Sequence, residues 1–155
     1  MAKIADKYFL VDPWKVIERD FDPGYSRVAE SIFSLGNEYM GVRGYFEEGF
    51  SGQSLIGSYF NGVYDRVYFP RSDYKGITDC NEFMVNSVNW LAAAVTVDGE
   101  RLDLDTAKIQ NYERVLDMRS GLLTRVFVWE TASGKRLELR FERFLPMSRM
   151  KIGVQ

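Results

Sequence analysis

The side chains able to do chemistry in this chain are carboxylates, tyrosines and lysines, because its 155 residues include no histidine. Histidine is the commonest metal ligand and the only side chain that normally titrates near neutral pH. A serine or cysteine triad would lack its base, and a zinc site would have to be built from Cys80 and carboxylates. We therefore expect no triad hydrolase, no metal site and no other cofactor.

Two pairs of acidic residues have spacings that acid–base catalysis could use. Glu47 and Glu48 are adjacent, and adjacent side chains of a strand point to opposite faces, so we expect that they do not face one substrate. Asp103 and Asp105 would share a face about 6.6 Å apart in an extended chain, near the carboxylate separation of inverting glycosidases. They follow a tight turn with no apolar pocket to raise one pKa, so a solvated face is the favoured interpretation.

Aromatic residues are interleaved with asparagine and aspartate in one stretch, and Trp90 is preceded by Asn86 and Asn89. Aromatic rings stack on the apolar faces of pyranose rings, and asparagine or aspartate can bridge neighbouring hydroxyls. The sequence thus nominates five sugar-binding residues: Tyr59, Asn61, Tyr64, Asp65 and Trp90. The alternative is that they are sandwich core, since the chain has 3 Trp, 9 Tyr and 11 Phe and aromatic residues are common in cores.

Arg43 is the one basic residue considered as an anion ligand. It lies within an aromatic-rich stretch between Tyr39 and Phe46, where a buried guanidinium needs a carboxylate partner. We expect it to pair with Glu30 or Glu47.

The elements that would position these side chains are mostly strands. Charged residues alternate with Leu137, Leu139 and Phe141, which is the period of a strand with one buried face. Its predicted partner is 122–130, joined through a turn at Ser133-Gly134.

Further turns support an antiparallel meander. Hairpins are predicted at Asp98-Gly99, which suits a type I′ turn, and at Arg119–Gly121. A front strand is predicted over Trp14–Arg19, and no sustained helix is expected; the best helical pattern is Asp105–Val115. The loops 49–52 and 70–76 are predicted to be mobile.

Several sequence motifs of the chain resemble those of one enzyme family. Residues 30–48 read ESIFSLGNEYMGVRGYFEE, and 54–67 read SLIGSYFNGVYDRV. Residues 83–104 read FMVNSVNWLAAAVTVDGERLDL, and 114–147 contain RVLDMRSGLLTR followed by a hairpin pattern. These motifs are similar, in the same order, to the amino-terminal domain of glycoside hydrolase family 65, which includes the maltose, trehalose and kojibiose phosphorylases. One departure is Glu38, where many relatives have glycine; a position that demanded positive φ would strain it.

The resemblance implies an all-β, antiparallel super-sandwich of the galactose-mutarotase type, with residues 1–155 as the front part of that domain. In the family, a later (α/α)6 barrel carries the general acid glutamate and the phosphate site, and this chain stops before it. We therefore expect no catalytic residue here. Inorganic phosphate would be a co-substrate of the parent enzyme, and partners would be the rest of that enzyme, a disaccharide and, through open sheet edges, further copies of the chain.

Three functional interpretations follow. The favoured one is a non-catalytic amino-terminal scaffold of an α-glucoside phosphorylase, which also supplies an oligomerisation surface and loops near the pocket mouth. The second is a self-standing carbohydrate-binding module, and the third, a complete small hydrolase, is disfavoured by the missing catalytic groups.

Composition excludes other partner classes. The chain is 46% apolar and 27% charged with a net charge of −2, which is ordinary globular usage. Its basic residues are scattered among acids, so nucleic acid is not an expected partner. No apolar run reaches the roughly 20 residues that span a bilayer, and the first ten residues, MAKIADKYFL, lack a signal-peptide pattern. A cytoplasmic location is the expectation, in keeping with a single cysteine.

Overall fold

The computed structural model describes residues 9–68 and 79–155. Twelve strands and one α-helix are found there. The strands are β1 (Leu10–Val11), β2 (Lys15–Arg19), β3 (Leu35–Gly36), β4 (Met40–Val42), β5 (Ser58–Phe60), β6 (Tyr64–Tyr68), β7 (Cys80–Met84), β8 (Thr96–Val97), β9 (Glu100–Arg101), β10 (Lys108–Asp117), β11 (Leu122–Glu130) and β12 (Arg136–Arg143). The helix α1 is Ser26–Ile32, preceded by a 3-10 turn at Pro23–Tyr25.

The main sheet has five antiparallel strands in the order β1-β2-β10-β11-β12. Smaller antiparallel pairings are β3-β4-β5, β6-β7 and β8-β9. The prediction of an all-β antiparallel sandwich is confirmed.

The predicted turns are confirmed by the backbone. Asp98 and Gly99 have φ of 51° and 82°, as a type I′ hairpin requires. Gly121 and Gly134 also have positive φ, 68° and 81°, at the two turns that join β10, β11 and β12. The chemistry of these turns therefore fixes the meander.

No helix forms over Asp105–Val115, as expected: the segment is a turn followed by strand β10, because its apolar residues pack against β11 and the core. The helix α1 was not predicted. It is only seven residues long and carries apolar residues on two sides, with Ala29 buried and Val28 exposed, so no clean helical period marks it.

The core consists of three clusters of buried apolar side chains. The largest lies beneath β10 and β11: Phe46, Leu102, Leu104, Tyr112, Phe127 and Trp129. A second contains Met40, Val42, Tyr45, Leu91 and Leu145, and the third joins Ala29 and Phe33 to Leu123. The segment 44–48 thus lies between clusters, with Tyr45 in one and Phe46 in another.

Asn37 and Glu38 form the turn between β3 and β4. The side-chain oxygen of Asn37 accepts hydrogen bonds from the N–H groups of Tyr39 and Met40, at 2.9 and 2.8 Å. Glu38 is not among the described residues with positive φ, so the departure from glycine causes no backbone strain.

Of the loops predicted to be mobile, 70–76 lies outside the described residues, and mobility of 49–52 stays a prediction. No helix in the described parts of the chain is long and apolar enough to cross a membrane.

Candidate functional site

Three arginines project from one face of the main sheet. Arg114 on β10 is directly opposite Arg125 on β11, and Arg125 is opposite Phe141 on β12. Arg143 lies two residues beyond Phe141 and therefore shares its face. The three arginines are only 2%, 3% and 1% exposed, so each must find partners inside the protein.

Arg114 is neutralised within the sheet. Its cross-strand neighbour on β2 is Glu18, and Nε donates to Glu18 Oε2 at 2.8 Å. Nη1 donates to the carbonyl of Gly44 at 2.9 Å. Arg114 thereby connects the sheet to the start of the segment 44–48.

Arg125 and Arg143 bind two consecutive glutamates. Arg125 Nη2 donates to Glu47 Oε2 at 2.7 Å, and both of its terminal nitrogens donate to Glu48. Arg143 Nε donates to Glu47 Oε1 at 3.1 Å, and Nη2 donates to the carbonyl of Tyr45 at 2.8 Å. The network contains three arginines and three glutamates, so its formal charges cancel.

The network determines the protonation of its members. Burial alone would raise the pKa of Glu47, but Arg125 and Arg143 outweigh it and hold that pKa below its usual value. Burial would lower the pKa of Arg125, yet Glu48 and Glu47 raise it above its usual value. Burial lowers the pKa of Arg143 despite the opposing effect of Glu47. Glu47 is therefore ionised near neutrality and unsuited to act as a general acid.

The expectation that Glu47 and Glu48 point apart is wrong. They lie in a turn, not in a strand, and both carboxylates converge on Arg125. The predicted pairing of Arg43 with Glu30 or Glu47 is also wrong. Glu30 instead accepts hydrogen bonds from Ser54 Oγ and the N–H of Leu55, at 2.5 and 2.6 Å.

Arg43 makes a different contact. Its Nη2 donates to Ser31 Oγ at 2.5 Å, and its Nε is buried without a hydrogen-bond partner in the described part of the chain. Its backbone carbonyl accepts from Arg143 at 3.1 Å. Arg43 therefore joins the helix α1 to the network through polar, not ionic, contacts.

A cleft of about 190 Å³ lies beside the network. Its inner wall is formed by the buried residues Tyr45, Phe46 and Glu47, and its rim includes Asn89 and Arg101. Tyr45 Oη donates to Asn89 Oδ1 at 2.8 Å, and burial, the largest effect, raises the pKa of Tyr45. The cleft offers an aromatic wall and polar rim groups, but its only carboxylate is already bound by arginines.

The structure divides the predicted sugar-binding residues. Tyr64 is 50% exposed, and its hydroxyl donates to Asn61 Oδ1 at 3.3 Å, so these two lie together. Asp65 follows on β6, where its carboxylate accepts from the next backbone N–H. Tyr59 precedes this group on β5 and packs over Gly57.

Trp90 packs on the second core cluster, as does Phe60, and a Cβ placed on Gly153 would lie 2.3 Å from its ring. Because consecutive strand residues face opposite ways, Tyr59 points away from the side that holds Phe60. A sugar-binding role for all five residues stays a prediction.

The asparagines and aspartates considered with these residues serve local structure. Asn86 bridges the N–H of Ser58 and the carbonyl of Ile56, at 3.0 and 2.9 Å. Asp103 accepts from the N–H groups of Ser51 and Asp105, at 3.1 and 3.0 Å. No group of three metal-ligating side chains exists within 9–68 and 79–155.

The sequence interpretation missed the arginine network, although β11 carried a signal. Arg125 lies on the same face of β11 as Leu123, Phe127 and Trp129. A charged residue at an apolar position of a strand indicates a buried, paired charge.

Comparison with known proteins identifies the family. The model of the glycosyl hydrolase family 65 N-terminal domain matches residues 16–155. The chain belongs to this family. An α,α-trehalose phosphorylase from Thermoanaerobacter brockii is 36% identical over 147 residues, covering 92% of this chain and 19% of that protein. A maltose phosphorylase from Bacillus subtilis (strain 168) is 36% identical over 149 residues, covering 94% of this chain and 19% of that protein.

A solved structure of a putative kojibiose phosphorylase from the human microbiome superposes with a TM-score of 0.85 at 41% identity. The match covers 93% of this family 65 chain and 19% of that one. The chain thus spans about a fifth of the length of these three relatives.

Proposed function

We propose that this chain is a non-catalytic scaffold within the amino-terminal domain of an α-glucoside phosphorylase. The observation that supports this most directly is the buried network of Arg114, Arg125 and Arg143. It fixes the segment 44–48 against the sheet and consumes the carboxylates of Glu47 and Glu48 in structural contacts. In the other acidic pair, Asp103 accepts hydrogen bonds from the N–H groups of Ser51 and Asp105.

The chemistry is assigned to the remainder of the parent enzyme. The relatives are named as trehalose, maltose and kojibiose phosphorylases, and this chain corresponds to about 19% of the first two. The proposed substrates of the parent are therefore a disaccharide and inorganic phosphate, both bound largely by parts of the enzyme outside residues 1–155.

We also propose that the chain contributes to a homo-oligomer in the cytoplasm. The antiparallel pair β6–β7 supports oligomerisation because it exposes apolar side chains along both strands. Those more than 40% exposed on or beside it are Val63, Tyr64, Val67, Tyr68, Phe83, Met84 and Val88. Such surface is normally covered by another element or subunit.

Activity measurements test the assignment. The 155-residue chain, incubated with phosphate and maltose, trehalose or kojibiose, should release no glucose 1-phosphate, and the full-length enzyme should release it from at least one. Turnover by the 155-residue chain would refute the scaffold role. In the full-length enzyme, Arg125→Met should lower Tm while leaving KM unchanged in the folded fraction.

The exposed pair of Tyr64 and Asn61 favours one alternative, a carbohydrate-binding module. An aromatic ring that is half exposed beside an amide is suited to stacking on a sugar. Calorimetric titration with the three disaccharides should then show binding that Tyr64→Ala abolishes and Tyr64→Phe retains. The scaffold role predicts no heat of binding for any of them.

A further inference from the structure

The cleft of about 190 Å³ beside the arginine network has a rigid inner wall. Arg143 binds both the carbonyl of Tyr45 and the carboxylate of Glu47, and Arg125 binds the same carboxylate. The carbonyl of Glu47 accepts from the N–H of Ala93 at 2.8 Å, which joins the inner wall to another part of the lining. The cleft is therefore shaped in advance, and a ligand can bind without first ordering this part of the chain.

Hydrogen-bond donors line the rim of the cleft. Asn89 Oδ1 accepts from Tyr45 Oη at 2.8 Å and from the N–H of Leu91 at 3.2 Å, so the amide has a fixed orientation and both Nδ2 protons remain for a ligand. The guanidinium of Arg101 lies beside Gly49, since a Cβ placed on that glycine would be 3.8 Å from Arg101 Nη2. Within residues 9–68 and 79–155, no hydrogen bond or ion pair occupies this guanidinium or Asn89 Nδ2.

Hydrogen-bond acceptors line the same space. Tyr45 Oη gives its proton to Asn89, and Ser54 Oγ gives its proton to Glu30, so both oxygens can offer only lone pairs to a ligand. A hydroxyl group both donates and accepts, and therefore fits a lining that holds donors and acceptors side by side.

The charge of the lining favours a neutral ligand. The carboxylate of Glu47 is balanced by Arg125 and Arg143, so it is not free to attract a cationic ligand. Arg101 is exposed, and an ion pair with an exposed side chain contributes little to binding. A ligand rich in hydroxyls uses the donors of Arg101 without needing its charge.

Size and surface limit the ligand to one ring. The cleft volume is below the roughly 300 Å³ at which pockets for drug-sized ligands begin. Phe46 and the partly buried Phe50 add aromatic carbon to the lining, against which the apolar face of a pyranose ring can pack. Two larger grooves in the described parts of the chain, of about 510 and 480 Å³, are lined by aliphatic, polar and charged residues. They offer a sugar ring no such surface.

We propose that this cleft binds a single neutral pyranose such as glucose, with its ring on Phe50 and its hydroxyls on Asn89 and Arg101. The site goes beyond the scaffold role, which assigns no ligand to this cleft. It also uses different residues from the exposed pair of Tyr64 and Asn61.

The test is an NMR titration of the 155-residue chain with D-glucose and with D-glucitol, its open-chain counterpart. Glucose should produce saturable shifts at the side-chain amide of Asn89, at Arg101 Nε and at the backbone amide of Gly49. Glucitol carries similar hydroxyls but no rigid ring, so its Kd should be at least about ten-fold higher.

A pair of variants tests the place of binding. Ala92 is exposed and lines the cleft, so Ala92→Phe puts a ring into the sugar's space without removing a hydrogen bond. It should weaken glucose binding at least about ten-fold, because the added ring clashes with the ligand. The matched control is Ala94→Phe, at an exposed position outside the lining described for the cleft, and its Kd should stay within about two-fold of wild type.

Three results would overturn the proposal. The first is a glucose titration without saturation, or one matched in strength by glucitol, and this comparison needs no variant. The second is saturable shifts confined to Tyr64 and Asn61, which would assign sugar binding to that pair. The third is equal glucose affinity of folded Ala92→Phe and Ala94→Phe, with folding checked by their amide spectra without sugar. Because binding and not turnover is measured, failure here is distinguishable from failure of the phosphorolysis test.

Discussion

Arg125 binds Glu48 through two parallel hydrogen bonds, Nη1 to Oε1 at 2.7 Å and Nη2 to Oε2 at 2.5 Å. Both side chains are buried, with Glu48 fully removed from solvent. In this bidentate geometry, two parallel N–H···O bonds join the planar guanidinium to the carboxylate. The pair connects residues that are 77 positions apart in sequence, so it joins the segment 44–48 to the sheet.

Replacing Arg125 by methionine should destabilise the chain strongly. Arg125→Met keeps most of the side-chain volume but leaves Glu48 and part of Glu47 as uncompensated buried charge. Loss of one partner of a buried ion pair typically costs about 3–5 kcal/mol. Urea unfolding followed by tryptophan fluorescence measures the change in the free energy of unfolding.

The matched control is Arg140→Met on the neighbouring strand. Arg140 pairs with Glu142 at the surface, where the two side chains are 61% and 46% exposed. Exposed pairs contribute roughly 0–1 kcal/mol, so the control should remain near wild type. If Arg125→Met and Arg140→Met lost the same free energy of unfolding, burial of the network would not account for its contribution to stability.

Stability should fall in acid partly through Glu47. Its pKa is lower in the folded protein than its usual value, because Arg125 and Arg143 outweigh burial. Its contribution is therefore complete above the unfolded pKa of about 4.3 and is lost as pH falls through the folded pKa. Glu47→Gln should be less stable than wild type at pH 7, and the difference should shrink as pH drops below about 4.

The free energy of unfolding of Glu47→Gln and wild type, measured at a series of pH values, tests whether the difference shrinks in acid. Glu142→Gln, which removes an exposed carboxylate on β12, should run nearly parallel to wild type. A Glu47→Gln deficit that grows toward low pH would contradict the assigned direction of the pKa shift.

The features that the sequence predicted are those whose residue pattern lies within a short segment of the chain. The turns at Asp98-Gly99 and Gly134 were predicted because their positive φ values require those residue types. Strand β12 was predicted because its alternation is set by one buried face. The arginine network was not, since Glu18 and Arg114 are 96 positions apart and nothing in their own neighbourhoods marks them as partners.

The helix α1 shows the same limit. Its seven residues are too few for intrinsic helical stability, so tertiary contacts must hold it. Ala29 and Phe33 pack on Leu123, and Glu30 is bound by Ser54 and its neighbour. Those contacts come from segments that no local pattern links to the helix.

Gly44 should tolerate no side chain. A Cβ there would lie 2.7 Å from Phe33 Cβ and 2.8 Å from its carbonyl oxygen, and the backbone atom cannot rotate away. Gly44→Ala should therefore cost about 1–3 kcal/mol, the usual range for overpacking. In Gly41→Ala, three residues earlier, the nearest atom is Leu35 O at 3.9 Å. Gly41→Ala should stay close to wild type in urea unfolding, and a reversed order would refute the packing argument.

Asn37 should be required for the contact between the β3–β4 turn and the end of the chain. Its Nδ2 donates to the carbonyls of Pro146 and Met150, both at 3.1 Å, while Oδ1 accepts from the N–H groups of Tyr39 and Met40. Each hydrogen bond contributes about 0.5–1.5 kcal/mol. Asn37→Ala removes four such bonds and should therefore cost about 2–6 kcal/mol of unfolding free energy.

Asn37→Asp separates the two halves of that role. Aspartate keeps both acceptor bonds in the turn but loses the donors and sets a charge against the carbonyls of Pro146 and Met150. Since the bridge of Phe144 with Val154 flanks those carbonyls, Asn37→Asp should speed amide exchange of Val154 while the amide of Met40 remains protected. Glu38 is the next residue of the turn and has an ordinary backbone φ. Glu38→Ala should therefore change stability by no more than about 0.5 kcal/mol. Loss of protection at Met40 in Asn37→Asp would show that the turn and the chain end are held as one unit.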